Sequence, residues 1–165
     1  FCYNGGMKRL WAPWRMKFVE QHKTDCVFCS VQAQTNDVKN LVVFRGQTAF
    51  VILNRYPYTS GHLMVVANIH RPSLEDLEAE TRAEMLELVT EGMRTLRKVY
   101  RPDAFNLGAN IGEAAGAGIA GHVHLHVVPR WGGDTNFMST VGDTRVLPEE
   151  LDETYRRVRA AWNEP

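Results

Sequence analysis

Long apolar runs are missing from this sequence: none approaches the roughly 20 residues that a membrane-crossing helix needs, so no membrane partner is expected. Residues Phe1 to Gly6 are too short and mixed to carry the apolar region of a secretory signal. Cysteine is scarce. Cys2 stands alone, and Cys26 and Cys29 form a C-x-x-C pair, which is no disulfide framework, so the expected compartment is the cytoplasm. Charge of one sign is also lacking, because 19 basic residues balance 19 acidic ones. A neutral chain has no electrostatic reason to bind nucleic acid or a membrane surface generally. There is no internal repeat, low-complexity segment or linker, so residues 7–165 are expected to form a single domain. Met7 is then the natural start, with residues 1–6 an upstream extension or tag.

What is present concentrates in Gly121-His122-Val123-His124-Leu125-His126-Val127-Val128-Pro129, which holds three of the six histidines. Alternation at period two marks a half-buried strand, with the imidazoles on one face and Val123, Leu125 and Val127 entering the core. Ahead of it, residues 112–121 carry glycines 112, 116, 118 and 121 among alanines, a flexible loop. Trp131-Gly132-Gly133-Asp134 closes the strand.

The rest of the chain supplies a scaffold. Residues 41–45 and 48–53 are expected to form a hairpin across Gly46-Gln47, with a loop at 54–61, a third strand at 62–67 and a fourth at 105–110. Ser73 can cap a short helical turn through Leu77. Thr81 with Glu84 fits a capping box opening a long helix through about Tyr100. Along that helix Met85, Leu88, Val89, Met93, Leu96 and Val99 approximate an apolar stripe, which is core. A last helix is expected to start at Pro148 and to bury Leu151, Tyr155, Val158 and Trp162. Residues 8–18, aromatic and basic, suit a lid or a subunit contact, and His22 is assigned to the surface. Strands outnumber helices and their connections are short, so the class is α+β, with helices packed on an antiparallel sheet.

Three adjacent imidazoles are costly to bury unless each has partners. Two chemistries suit them. Histidines two apart on a strand can chelate a catalytic Zn²⁺. Alternatively, one imidazole attacks phosphorus while a neighbour handles a proton, and the glycine loop offers N–H groups to phosphate oxygens. Cys26-x-x-Cys29 lacks a thioredoxin-like βαβ context and would need two further ligands to hold zinc. The acidic stretch from Glu75 to Glu91 is assigned to solvated helix faces, with no general base there.

The run His122-Val123-His124-Leu125-His126-Val127-Val128 resembles H-φ-H-φ-H-φ-φ, the defining motif of the histidine triad (HIT) superfamily. The likeness continues through Asn54, Pro57, Gly61-His62, Asn110, Gly112 and Pro129-Arg130-Trp131. Residues 7–15 and the tail 132–137 are similar to the bacterial diadenosine-tetraphosphate phosphorylase-like branch. The resemblance implies a HIT-like fold and nucleotidyl transfer from a dinucleoside polyphosphate such as diadenosine tetraphosphate, with inorganic phosphate slightly favoured over water as acceptor. It implies His124 as nucleophile and His126 on the phosphate oxygens, with the backbone carbonyl following the strand fixing the imidazole tautomer. It further implies nucleotide contacts from Asn54, His62, Asn110, Gly112 and Gly118, although each asparagine could instead stabilise a turn. Cys26, Cys29, His70 and His122 would hold a structural zinc. No organic cofactor is expected, and the implied assembly is a homodimer. One departure stands out: residues 115–121 lack the Gln-Ser/Thr pair of many members, which leaves only backbone N–H groups to assist the leaving group.

Two other classes compete. A zinc-dependent hydrolase would use all three triad histidines as ligands, and a nucleotide-binding regulatory protein would turn over little. A nucleic-acid deadenylylase is disfavoured by the lack of a basic tail or DNA-binding finger.

Overall fold

The computed structural model describes residues 26–135, 141 and 146–162. The aromatic and basic stretch 8–18, His22, residues 1–6 and the tail residues 136 and 137 lie outside the described residues. Two short helices come first, α1 (Val27–Gln32) and α2 (Asp37–Asn40). A hairpin follows, β1 (Val42–Arg45) and β2 (Ala49–Leu53), and then β3 (Leu63–Ala67). The long helix α3 (Ala79–Tyr100) precedes β4 (Ala104–Gly108) and β5 (His124–Arg130), and α4 (Leu151–Trp162) comes last. The strands form one antiparallel sheet in the order β1-β2-β3-β5-β4, which makes the protein α+β.

Every residue of β2 and β3 is buried, because both faces of the sheet centre are covered. The apolar stripe of α3 covers one face. Its Met85, Leu88, Val89 and Leu96 are buried, and Gly92 brings the helix against Leu63 and Trp162. Gly92 is small enough for that approach; a Cβ there would sit 3.3 Å from the Leu63 side chain. Along α4, Tyr155, Val158 and Trp162 are buried as their spacing predicts, and Leu151 is half-buried. The Tyr155 hydroxyl donates to the Val42 carbonyl (3.1 Å), and Trp162 stacks on Phe44. By area, burying each such side chain contributes about 1.5–3 kcal/mol.

Cross-strand pairs define the opposite face. Met64 sits beside His126, and Val66 beside His124. Partners directly opposite point to the same side, so alternation places His62, Met64, His124 and His126 together, away from α3.

Some element ends differ from the sequence reading. The long helix starts at Ala79, with Glu78 in extended conformation and no side-chain cap. Thr81 is buried inside the helix, and Glu84 accepts from the N–H groups of Gln47 (2.7 Å) and Thr48 (2.6 Å). Glu84 thus closes the β1–β2 turn, whose N–H donors compete successfully for its carboxylate. Burial opposes its charge, but the Thr48 hydroxyl and these N–H groups hold its carboxyl below the usual range. Ser73 precedes the 3-10 turn Leu74–Asp76, but its hydroxyl turns to Glu75 instead of capping. The last helix starts at Leu151, after Glu149 has joined Thr154, Tyr100 and Arg157. Pro148 therefore lies ahead of the first turn.

Candidate active site and metal cluster

The triad residues leave the sheet in two directions. His122 lies just ahead of β5 and is fully buried, and its Nε2–H donates to the Ala67 carbonyl (2.8 Å). That bond aims Nδ1 at the cysteines of the C-x-x-C turn, 3.2 Å from Cys26 Sγ and 3.6 Å from Cys29 Sγ. His70 Nδ1 stands 3.3 Å from Cys29 Sγ. The 68–71 segment is held against the triad by the Val123 N–H, which donates to the Arg71 carbonyl (2.7 Å). Gly121 permits this approach, since a Cβ there would come within 3.2 Å of His70 Nε2.

The donor atoms of Cys26, Cys29, His70 and His122 all lie within 4.8 Å of one another. Both cysteines are free thiols. The observed 3.2–3.6 Å separations match the roughly 3.5 Å edges of a tetrahedron with zinc-length bonds. The donor set therefore fits a metal ion, and the Ala67 carbonyl orients His122 as second partners of metal-bound imidazoles do. Among the described residues this is the one group of three or more such side chains able to hold an ion, and it excludes His124 and His126. A site using all three triad imidazoles as ligands has no geometric support.

His124 and His126 instead border a cavity of about 320 Å³. His124 is 6% exposed, and its Nδ1 lies 2.8 Å from the His122 carbonyl. A carbonyl only accepts, so Nδ1 carries the proton and Nε2 keeps its lone pair. The fixing carbonyl belongs to His122, two residues before His124, and not to the strand's far end. Burial lowers the pKa of His124 while the carbonyl bond opposes this, and the net shift keeps the ring neutral near pH 7.

His62 is buried behind His126 and does not line this cavity. Gly61 turns the chain into it at φ 80°, where a Cβ would also strike Leu96 at 2.9 Å. His62 Nδ1 accepts from the Tyr58 N–H (3.1 Å) and faces Asn54 Nδ2 at 3.3 Å. With two donors on Nδ1, the proton sits on Nε2 and is given to His126 Nδ1 (2.9 Å). In neutral His126, Nε2 then carries the proton. Burial first, and the charges His126 and His124 would carry second, push the His62 pKa down to about 3.

Asn54, Asn110 and Gly118 line the cavity, whereas Gly112 does not. Gly112 opens the 3-10 turn Glu113–Ala115, where its carbonyl accepts from Ala115 N–H (3.3 Å). Asn54 also serves its own loop, because Oδ1 accepts from the Tyr56 N–H (2.9 Å). Asn110 Nδ2 reaches the Gly116 carbonyl at 3.4 Å. Both asparagines thus combine the turn and cavity positions expected as alternatives. The sequence reading missed the apolar wall: Val27, Phe28 and Val31 of α1 face the cavity opposite Ile52 and Met64. It also missed Tyr58, whose ring lies 4.6 Å from that of His62 and 6.1 Å from that of His126. Apolar residues inside and beyond the C-x-x-C pair were the available signal for the wall.

Residues 35–133 match the HIT domain family, and the chain belongs to that family. It is 39% identical to an AP-4-A phosphorylase of Mycobacterium tuberculosis over 94% of this chain and 85% of that protein. Among solved structures, a Zn-bound histidine triad family protein from Mycobacterium smegmatis superposes with a TM-score of 0.68 at 32% identity. It covers 83% of this chain and 92% of that one. A HIT family member from Bacillus subtilis gives a TM-score of 0.60 at 25% identity, covering 83% and 96%. Among the described residues no helix is long and apolar enough to cross a membrane.

Proposed function

We propose that the chain is a HIT-family enzyme that transfers a nucleotidyl group from a dinucleoside polyphosphate such as diadenosine tetraphosphate, through a covalent adduct on His124. The observation that carries this reading is the His124 Nδ1–H bond to the His122 carbonyl, which leaves the Nε2 lone pair at the cavity. In the first displacement Nε2 attacks the α-phosphorus, the bond to the bridging oxygen breaks, and the distal nucleotide leaves as ATP. In the second, an acceptor oxygen attacks the same phosphorus and the P–N bond breaks, restoring neutral His124. Splitting the reaction this way replaces one difficult displacement with two easier ones.

His126 presents Nε2–H to the non-bridging oxygens, and His62 fixes that tautomer from behind. Asn54 sits where a ribose would be held, the apolar wall takes the base, and Asn110 and the Gly118 backbone flank the phosphate. Inorganic phosphate is favoured over water as acceptor, which would release ADP; support comes from the mycobacterial phosphorylase relative. Cys26, Cys29, His70 and His122 would hold a structural zinc that ties α1 to the sheet, a reading supported by the zinc-bound relative. A homodimer is supported by β4, which among the described residues is an edge strand of the sheet with Leu107 half exposed. Light scattering giving an 18.7 kDa particle would refute it.

The deciding assay incubates the protein with diadenosine tetraphosphate, with and without inorganic phosphate. ATP plus ADP is expected with phosphate, together with a nucleotidyl adduct that His124→Ala cannot form. ATP plus AMP under both conditions would reassign the acceptor to water. Absence of both turnover and adduct would overturn the enzyme reading in favour of a binder.

A further inference from the structure

Helix α1 has six residues, too few to be stable on its own. Yet it supplies Val27, Phe28 and Val31 to the wall of the cavity that holds the nucleophile. Something else must hold it, and two devices do, one at each end.

At its start, Cys26 and Cys29 face His122 and His70 in the four-donor cluster. At its finish, the guanidinium of Arg45 takes the last carbonyls. Nη1 donates to Gln32 (3.2 Å), and Nη2 to Val31 (3.1 Å) and Gln34 (2.8 Å). Nε is anchored on Asp37 at 2.8 Å. A cation on the unsatisfied carbonyls of a helix C-terminus both satisfies them and opposes the negative end of the dipole. Between the two devices lies Phe28. Its ring is 5.4 Å from that of His122, which is in the cluster, and 5.0 Å from that of His124, which is in the cavity.

We propose that the cluster and Arg45 form one clasp on α1, so that zinc occupancy sets nucleotide affinity in the cavity and Arg45 acts as a positioning residue for it. Zinc draws Cys26 and Cys29 onto His70 and His122, and this seats Phe28 and Val27 against the sheet. Without zinc, what holds the start of α1 among the described residues is thiol–imidazole contacts and packing, so the wall loosens. Arg45 limits that loosening from the other end. None of the four cluster residues lines the cavity, so zinc and nucleotide would be coupled because each favours the same seating of α1. Such coupling is reciprocal, so bound nucleotide must tighten zinc by the factor with which zinc tightens nucleotide.

This inference rests on the nucleotide-binding reading above, and AMP is the probe for both. The zinc-loaded full chain is titrated with AMP by calorimetry, then stripped with a chelator, checked for retained secondary structure by circular dichroism, and titrated again. Stripping is expected to weaken AMP binding about tenfold or more. Competition for zinc against a chelator is run on the loaded chain with and without saturating AMP. It is expected to show zinc held more tightly by a similar factor, and this measurement does not require the stripped chain to stay folded.

Arg45→Met, assayed with zinc bound and well below its melting temperature, is expected to raise the KM for the dinucleotide several-fold with kcat within about twofold. A residue needed only for stability would shift the melting temperature and leave KM alone. If zinc-loaded protein binds no AMP, the nucleotide reading falls and the clasp with it. If it binds AMP but zinc competition is indifferent to AMP, only the clasp is overturned. KM unchanged in Arg45→Met overturns the part assigned to Arg45.

Discussion

His122 and His124 stand two residues apart with the same side chain, yet they belong to different regions of the molecule. The first has its Nε2 on a carbonyl and its Nδ1 among thiols. The second has its Nδ1 on a carbonyl and its Nε2 toward a cavity. Reversing which nitrogen meets the backbone suits one ring to a metal ion and leaves the other the free lone pair that the proposed attack on phosphorus needs. Neither assignment depends on the residue type; both follow from which carbonyl lies within reach. Replacing each in turn is the most direct way to break the comparison. His124→Ala is expected to lower turnover by roughly 10³-fold or more, because it removes the attacking atom, while zinc content stays at wild-type level. His122→Ala is expected to lose zinc. It should also destabilise the fold by about 2–5 kcal/mol, since it opens a hole in the core and orphans the Ala67 carbonyl. Elemental analysis, urea unfolding and steady-state kinetics separate the two outcomes. Equal losses of metal in both variants would mean that the division of labour is wrong.

The contrast was partly legible in the sequence. Period-two spacing predicts all three imidazoles on one face. The register of Met64 with His126 and Val66 with His124 agrees for His124 and His126, while His122 lies just ahead of β5 and turns to the cysteines. The C-x-x-C pair with His70 and His122 could be assembled only through the family resemblance, because those residues come from three separate segments joined by the sheet. Long-range partners were not legible. Glu84 looked like a helix cap by its distance from Thr81, but the nearest unsatisfied donors belong to a turn 36 residues earlier. Arg45 looked like the polar end of a strand, although its fork closes a helix that precedes it. His62 was assigned to the nucleotide from its motif position. In the structure its Nε2–H donates to His126 Nδ1, and it does not line the cavity.

The cavity side should also differ from the cluster side in its response to acid. An unfolded chain protonates His62 near pH 6.5, whereas the folded protein resists protonation there until about pH 3. Between those values the unfolded state binds more protons. Stability from this group is therefore complete above pH 6.5 and declines as the pH falls toward 3, by up to about 1.4 kcal/mol per pH unit. Acid would also release an ion held by the Cys26, Cys29, His70 and His122 cluster, so the informative quantity is the difference from His62→Gln, which has no titrating ring. Urea midpoints measured at pH 7.5 and pH 5 are expected to move less in the variant than in wild type. Equal movement would mean that His62 is not held neutral.

The smallest expected effect sharpens the comparison within a single loop. Gly118 and Gly121 lie three residues apart ahead of the triad, one lining the cavity and the other against the cluster. A Cβ on Gly118 meets nothing within 4 Å, while one on Gly121 comes 3.2 Å from His70 Nε2. Gly118→Ala is expected to leave unfolding stability within about 0.5 kcal/mol of wild type and zinc affinity unchanged. Gly121→Ala must displace His70 by a few tenths of an ångström. His70 is exposed and can move, so the fold should survive, but a tetrahedral site tolerates little displacement of a ligand. Zinc affinity is therefore expected to fall by about 10–100-fold, the loss typical when the orientation of a metal-bound imidazole is disturbed. Chelator competition on both variants measures this. If Gly121→Ala bound zinc as tightly as Gly118→Ala, His70 would lie outside the coordination sphere, and the cluster would be reduced to Cys26, Cys29 and His122.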